Sequence, residues 1–151
     1  MDLDGKAAIV TGGAVRLGRA LALALAGQGV RVGVHYGSSA GPAEAVVQEI
    51  KAMGVDAMAI QADLSRPGEA GSIVERAAAH LGQVDILVNS AAIFEPGNWD
   101  DTTEDNWDRH FAVNLKSPFF LSQAFAHQVG RERAGQIVNI ADWRGVRPGP
   151  D

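Results

Sequence analysis

The 151-residue sequence contains no cysteine and a single tyrosine, Tyr36. Without cysteine there is no disulfide, no thiolate metal ligand and no thiol nucleophile. Long hydrophobic runs are missing too: the longest clean one, Ala20 to Ala26, falls well short of the ~20 residues of a membrane-spanning helix. Positive charge is scarce. Thirteen Lys and Arg stand against eighteen Asp and Glu, and the net charge of -5 makes a nucleic-acid backbone a poor partner. The start, Met1-Asp2-Leu3-Asp4-Gly5-Lys6, lacks the basic and then apolar pattern of a signal peptide, so a cytoplasmic protein is expected. The four histidines, His35, His80, His110 and His127, are scattered with no pair at metal-ligand spacing, and no metal site is expected. What remains is 46% apolar and 21% charged, the balance of one globular domain with a real core.

Around one loop the rest is organised: Thr11-Gly12-Gly13-Ala14-Val15-Arg16-Leu17-Gly18. An apolar run, Lys6 to Val10, precedes it and strong helix formers, Arg19 to Ala26, follow it. Strand, glycine turn and helix together form a cradle for a dinucleotide pyrophosphate, with the helix's free N–H groups and positive dipole end facing the phosphates. Gly12 suits the sharp turn and Gly18 the close approach of helix to sheet. The spacing departs from G-x-G-x-x-G, with Arg16 where many such loops carry the middle glycine. An ordinary strand-to-helix connection has the same local pattern.

Further on, strand-like and helix-like segments alternate. Strands are expected at Lys6–Thr11, Arg31–Tyr36, Asp56–Ala62, Asp85–Asn89 and Gln136–Ile140. Helices are expected at Leu17–Gly27, Pro42–Met53 and Pro67–Leu81, with a long one starting at Thr102 or Thr103 and carrying Trp107, Phe111, Leu115 and Phe119 on one side. At least two of its three aromatics, Trp107, Phe111 and Phe119, are expected in the core. The alternation predicts an α/β fold with a doubly wound parallel sheet. After the fifth strand the chain ends in Arg147-Pro148-Gly149-Pro150-Asp151, loop chemistry with no closing element, so the sheet reads as truncated there.

Chemistry concentrates at the strand ends. The second strand ends in His35-Tyr36-Gly37-Ser38-Ser39, with no carboxylate to receive a ribose 2′-OH; donors of this kind suit a 2′-phosphate, which favours NADP over NAD. A polar turn without a ligand has the same composition. Asp63-Leu64 follows the third strand, where the carboxylate could accept from an adenine amino group or simply form a turn. Asn89-Ser90-Ala91 follows the fourth, small enough for a flat ligand to approach the backbone. Phe94 could stack on a substrate ring or cover the core. Pro118 leaves the carbonyl of Asn114 without its helical donor, either to hold a water or as a simple bend. Asp142 closes the fifth strand and could donate a proton if burial raises its pKa, anchor a ligand, or pair with Arg144 or Arg147.

Taken in order, Thr11 to Gly18, Asp63-Leu64, Asn89-Ser90-Ala91, Asn114 and Ile137-Val138-Asn139-Ile140 resemble the short-chain dehydrogenase/reductase family over essentially the whole chain. Arg16-Leu17-Gly18, Asp142 in place of the family's serine, His35-Tyr36 and Phe94 look like its pteridine reductases. The resemblance implies a Rossmann-type fold and a cytoplasmic, homo-oligomeric reductase using NADP(H) on a small molecule. It also implies roles: Arg16 on cofactor phosphate and substrate, Phe94 sandwiching a pterin, Asp142 and Asn114 in proton delivery. Gly12, Leu17, Gly18, His35, Tyr36, Ser38, Ser39, Asp63, Leu64, Asn89, Ser90 and Ala91 become the cofactor set. The family's Tyr-x-x-x-Lys is not found and is expected a few residues beyond Asp151, which makes residues 1–151 the NADP-binding part of a longer single-domain fold. The competing expectations are a carbonyl reductase for 3-oxoacyl or similar substrates and a dinucleotide-binding fragment without catalysis.

Overall fold

The computed structural model describes residues 2–66 and 68–147; Pro67, the expected start of the third helix, and the terminal Pro148-Gly149-Pro150-Asp151 lie outside the described residues. Five strands form one parallel sheet: β1 (Ala7–Val10), β2 (Arg31–Tyr36), β3 (Ala57–Gln61), β4 (Ile86–Asn89) and β5 (Gln136–Asn139). Their spatial order is β3-β2-β1-β4-β5. The chain therefore reverses its direction of travel across the sheet between β1 and β4, and a crevice opens at their carboxyl ends.

Side chains alternate along the strands and separate two cores. Ala8, Val10, Val32, Val34, Ile86 and Val88 pack against α1 (Arg16–Ala26) and α2 (Ala40–Ala52) through Ala22, Ala26, Val46, Val47 and Ile50. Ile9, Ile60 and Leu87 turn the other way, toward Ile73, Val74, Ala77 and Leu81 of α3 (Glu69–Leu81) and Leu121, Phe125 and Val129 of α5 (Ser117–Val129). Burial on both faces is why the strands are apolar runs with little polar alternation. A buried carboxylate pins the amino ends of the inner strands: Asp85 accepts from the Ala7 N–H at 3.1 Å and pairs with Arg133 at 3.2 Å and Lys6 at 3.8 Å.

Most expected elements are present, with their ends moved by a few residues. The helix α2 begins at Ala40, two residues before Pro42, because an N–H in the first turn has no helical acceptor and a proline there costs nothing. Gly68, in a left-handed conformation, precedes α3.

The long helix is corrected in two respects. It consists of α4 (Glu104–Phe111), a π-helical turn (Ala112–Lys116) and α5. Thr103 is the cap, its side chain accepting from Asn106 N–H at 3.2 Å. The Ser117 N–H donates to the carbonyl of Ala112, five residues back. This wider turn lies directly before Pro118, which has no N–H for Asn114 and whose ring crowds that carbonyl. The second correction concerns the buried face. Trp107, Phe111 and Phe119 are 56%, 44% and 61% exposed, so none of the three fills the core. Val113, Ser117, Leu121, Phe125 and Val129 do, at the same four-residue step but two positions out of phase.

Candidate functional site

Thr11-Gly12-Gly13 leaves β1 at the crevice. Gly12 has a φ of 62°, and a Cβ there would stand 3.0 Å from Ala91 Cα. A Cβ on Gly18 would fall against the Gly12 carbonyl oxygen, well inside van der Waals contact. Both glycines are therefore required by geometry, and they bring the loop, the start of α1 and the segment after β4 together. Helix α1 has no side-chain cap and no acidic residue in its first turn, so its N–H groups and positive end are left for an anion. Arg16 stands at that helix start with a φ of 51°. It is the sole non-glycine residue with positive φ among those described, a conformation that costs on the order of 1 kcal/mol and tends to persist where a ligand site requires it. The Arg16 side chain is exposed, and Leu17 beside it is 53% exposed.

Sequence reasoning assigned Thr11 no role of its own. Its buried hydroxyl accepts from the N–H groups of Ser90 at 2.9 Å and Ala91 at 3.0 Å, and lies 3.3 Å from the Val88 carbonyl oxygen, to which it donates. Ser90 and Ala91 thus line the crevice with their backbone already fixed. A hydroxyl residue immediately before the first loop glycine was the available signal.

Several of the expected cofactor residues have side-chain partners within the protein. His35 is 2% exposed and faces inward: Nδ1 accepts from the Gly12 N–H at 3.2 Å and Nε2 donates to the Ala62 carbonyl at 3.2 Å. Burial pushes its pKa down to about 4, so it is neutral near pH 7 and has no donor left for a phosphate. Asn89 is 4% exposed and turns from the crevice; its Nδ2 donates to Asn139 Oδ1 at 2.8 Å and Ser122 Oγ at 3.3 Å. Leu64 buries its side chain in the α3–α5 core, and its carbonyl accepts from Ser117 Oγ. Tyr36 is half-buried against the α1–α2 core. The described contacts of these four side chains are with the protein itself.

Ser38 and Asp63 do come together. With Gly37, Gln61, Arg66 and Glu69 they line a cleft of about 360 Å³ beyond the ends of β2 and β3. Asp63 accepts from the Ser65 hydroxyl at 2.7 Å and its N–H at 2.9 Å, and pairs with Arg66 at 3.2 Å. The Ser65 hydrogen bonds first, then Arg66, hold its carboxyl below the usual range. Asp63 is thus a turn-former that still stands at the rim of the cleft. Arg66, unremarked in the sequence, supplies the cleft's cation. Ser39 precedes α2 without capping it through its side chain.

On the far side of the crevice Phe94 is 74% exposed, with the Arg144 guanidinium 5.4 Å from its ring centroid. Asn114 grips the residue before it: Oδ1 accepts from Ile93 N–H at 2.9 Å and Nδ2 donates to Ile93 O at 2.8 Å. His110 Nε2 accepts from the Glu95 N–H at 3.1 Å. The backbone around Phe94 is thus held on both sides while its ring is bare. Asp142 is exposed; it accepts from the Arg144 backbone N–H at 2.8 Å and shapes the short 3-10 turn Trp143–Gly145. Its contact is with the backbone of Arg144, and among the described residues no guanidinium pairs with its carboxylate. A wider concavity of about 890 Å³ lies elsewhere, along the apolar outer face of α4, the π turn and α5. Among the described residues no three His, Asp or Glu side chains gather to hold a metal ion, and no helix is long and apolar enough to cross a membrane.

Comparison with known proteins gives concordant matches. The family model for short chain dehydrogenases matches residues 6–151. The 3-oxoacyl-(acyl-carrier-protein) reductase FabG of Staphylococcus epidermidis is 39% identical over 145 residues, which cover 96% of this chain and 59% of that protein. The structure of a short chain dehydrogenase from Burkholderia cenocepacia in complex with NADP superposes with a TM-score of 0.94 at 42% identity, covering 100% of this chain and 60% of that one. FolM alternative dihydrofolate reductase 1 from Brucella canis, complexed with NADP, follows with a TM-score of 0.92 at 34% identity, covering 99% and 59%. The chain spans about three-fifths of the length of these relatives.

Proposed function

The chain belongs to the short chain dehydrogenase family, and on that premise we propose that it forms the NADP-binding part of a reductase that moves hydride from NADPH to a C=N or C=O bond of a small molecule. The observation that carries this reading is the start of α1: uncapped, free of acidic side chains, and set against Gly12 and Gly18 with Arg16 held at positive φ. Residues and cofactor fit. Gly12, Arg16, Leu17 and Gly18 would hold the pyrophosphate. Ser38, Ser39 and Arg66 would receive the 2′-phosphate where β2 itself ends without a carboxylate, and Asp63, across the cleft, would take the adenine amino group. Ser90 and Ala91, fixed by Thr11, leave room at the crevice for the nicotinamide half.

When bound, NADPH supplies the hydride, and the protein's part is to orient it and move a proton. Thr11 and Gly12 set the floor of the crevice. Phe94, with its ring bare and its backbone held, offers a face for a flat substrate. Arg16 would meet both cofactor phosphate and substrate. The Asn114 carbonyl, freed by Pro118, would hold a water, and Asp142 would act with a tyrosine from beyond residue 151 to deliver the proton. Proton delivery of this kind is worth roughly 10²- to 10⁴-fold in rate. A pterin is the substrate that Arg16, Phe94 and Asp142 favour, and the FolM likeness supports it. A 3-oxoacyl substrate is the second reading, favoured by the 39% identity to FabG. A cytoplasmic homo-oligomer belongs to the same proposal, with the exposed face of Trp107, Phe111, Leu115 and Phe119 as its contact.

The test is NADPH oxidation by the full-length protein, with dihydrobiopterin and dihydrofolate in one arm and a 3-oxoacyl thioester in the other. Turnover of the pterins is expected. Turnover of the thioester alone would replace the pterin reading with the second one. Full-length protein that oxidises NADPH with neither remains compatible with a cofactor-binding role alone and removes both substrate readings.

A further inference from the structure

We propose that His35 is a positioning residue of the cofactor site, fixing the glycine loop after β1 and tying it to the turn after β3. The inference rests on the NADP reading of the crevice and adds to it a residue that touches no cofactor. His35 receives two consecutive loop amides: the Gly12 N–H on its Nδ1 at 3.2 Å and the Gly13 N–H on its own carbonyl at 2.9 Å. On its other side Nε2 reaches the carbonyl of Ala62 at 3.2 Å, and the next residue is Asp63 at the rim of the adenosine cleft. An N–H must find an acceptor and a carbonyl a donor, so the two contacts together fix the neutral tautomer with its proton on Nε2.

The arrangement continues across the rim. Thr11 accepts from Ser90 and Ala91 after β4, Gly12 donates to His35 at the end of β2, and His35 donates to Ala62 after β3. These ties follow the order of the strands in space, β3-β2-β1-β4. They run beside the last backbone bonds between these segments, Gly13 N–H to the His35 carbonyl at 2.9 Å and Ala62 N–H to the Tyr36 carbonyl at 3.1 Å, beneath the crevice. The backbone N–H of Thr11 is separately held by the Val88 carbonyl at 2.9 Å. His35 is therefore the side-chain link between the pyrophosphate loop and the adenosine cleft, and it sets their spacing. Removing it leaves the Gly12 N–H and the Ala62 carbonyl without partners in a region where His35 and Ala62 are each 2% exposed.

The experiment measures NADPH affinity by fluorescence titration and thermal stability of the full-length protein, for wild type, His35→Leu and His35→Asn. Asparagine places an amide oxygen where Nδ1 stands and restores the acceptor for Gly12. Loss of the positioning bond should weaken NADPH binding about tenfold in His35→Leu, with much of the loss recovered in His35→Asn. A folded His35→Leu protein that binds NADPH as wild type does, with only its melting temperature lowered, overturns the inference. So does a folded His35→Asn protein that binds as weakly as His35→Leu. If His35→Leu does not fold, His35→Gln replaces it, because glutamine keeps a donor toward Ala62 but offers no acceptor at the Gly12 position. Wild-type protein that fails to bind NADPH overturns the cofactor reading and this inference with it, whereas binding that is indifferent to position 35 overturns the inference alone.

Discussion

β1 and β5 are both four-residue parallel strands, yet every residue of β1 is buried and every residue of β5 is exposed. β1 has a partner on each edge and a helix layer on each face. β5 pairs with β4 alone, and Ile137, Val138 and the adjoining Ile140 are 38%, 40% and 43% exposed. The same contrast runs along α5, where Phe125 is 2% exposed and Phe119 is 61% exposed. Apolar composition thus marks a residue's fitness for burial, and neighbours decide whether burial occurs. In the proposed function the contrast separates the proposed cofactor side, where Thr11 and His35 hold the loop by hydrogen bonds, from the proposed substrate side, where Phe94 and Asp142 are exposed.

Substitutions can break that contrast or sharpen it. The largest effect is expected from Gly18→Val, whose side chain would drive into the Gly12 carbonyl. Overpacking of this sort costs roughly 3 kcal/mol or more, and NADPH binding should be lost in a titration of the full-length protein. Next come the two phenylalanines of α5. In urea unfolding Phe125→Ala should cost about 3–5 kcal/mol, and Phe119→Ala no more than about 0.5 kcal/mol. Equal losses would show that the outer face is covered in the intact protein.

A third expectation concerns acid. The His35 pKa is about 4 in the folded protein against an ordinary value of 6.5. Between those values only the unfolded chain takes up a proton at this position. Its contribution is therefore fully present above pH 6.5, declines as the pH falls, and is gone below about pH 4. The His35-specific loss between pH 7 and pH 4.5 should be on the order of 2 kcal/mol, read as the difference between wild type and His35→Asn in urea unfolding at the two pH values. The smallest effect is expected at Thr11. Thr11→Val removes the acceptor for Ser90 and Ala91 and should cost about 1–3 kcal/mol, while Thr11→Ser, which keeps the hydroxyl, should cost less than about 1 kcal/mol by the same measurement.

The alternation of strand and helix was legible because each apolar run has its own period and its own glycine or proline punctuation. The glycine loop was legible for the same reason, since close approach leaves glycine as its trace. The buried face of α4–α5 was not. Trp107, Phe111, Leu115 and Phe119 repeat every four residues, and so do Val113, Ser117, Leu121, Phe125 and Val129; the more aromatic stripe faces outward. Pro118 gave notice of a disturbed helix, and the π turn before it is the form the disturbance takes. The direction of the His35 side chain was not legible. A histidine at a strand end has the same letters whether it donates to a ligand or props the loop beneath one, and burial alone distinguishes the two. Thr11 was hidden because a hydroxyl beside two glycines reads as part of the turn.

Titrating the full-length protein with NADPH and, separately, with NADH tests the central claim most directly. The account predicts that NADPH binds at least about tenfold tighter, since the end of β2 and the adjoining cleft supply Ser38, Ser39 and Arg66 for a 2′-phosphate and no carboxylate on β2 for a free ribose hydroxyl. Binding of neither nucleotide, or tighter binding of NADH, would contradict it.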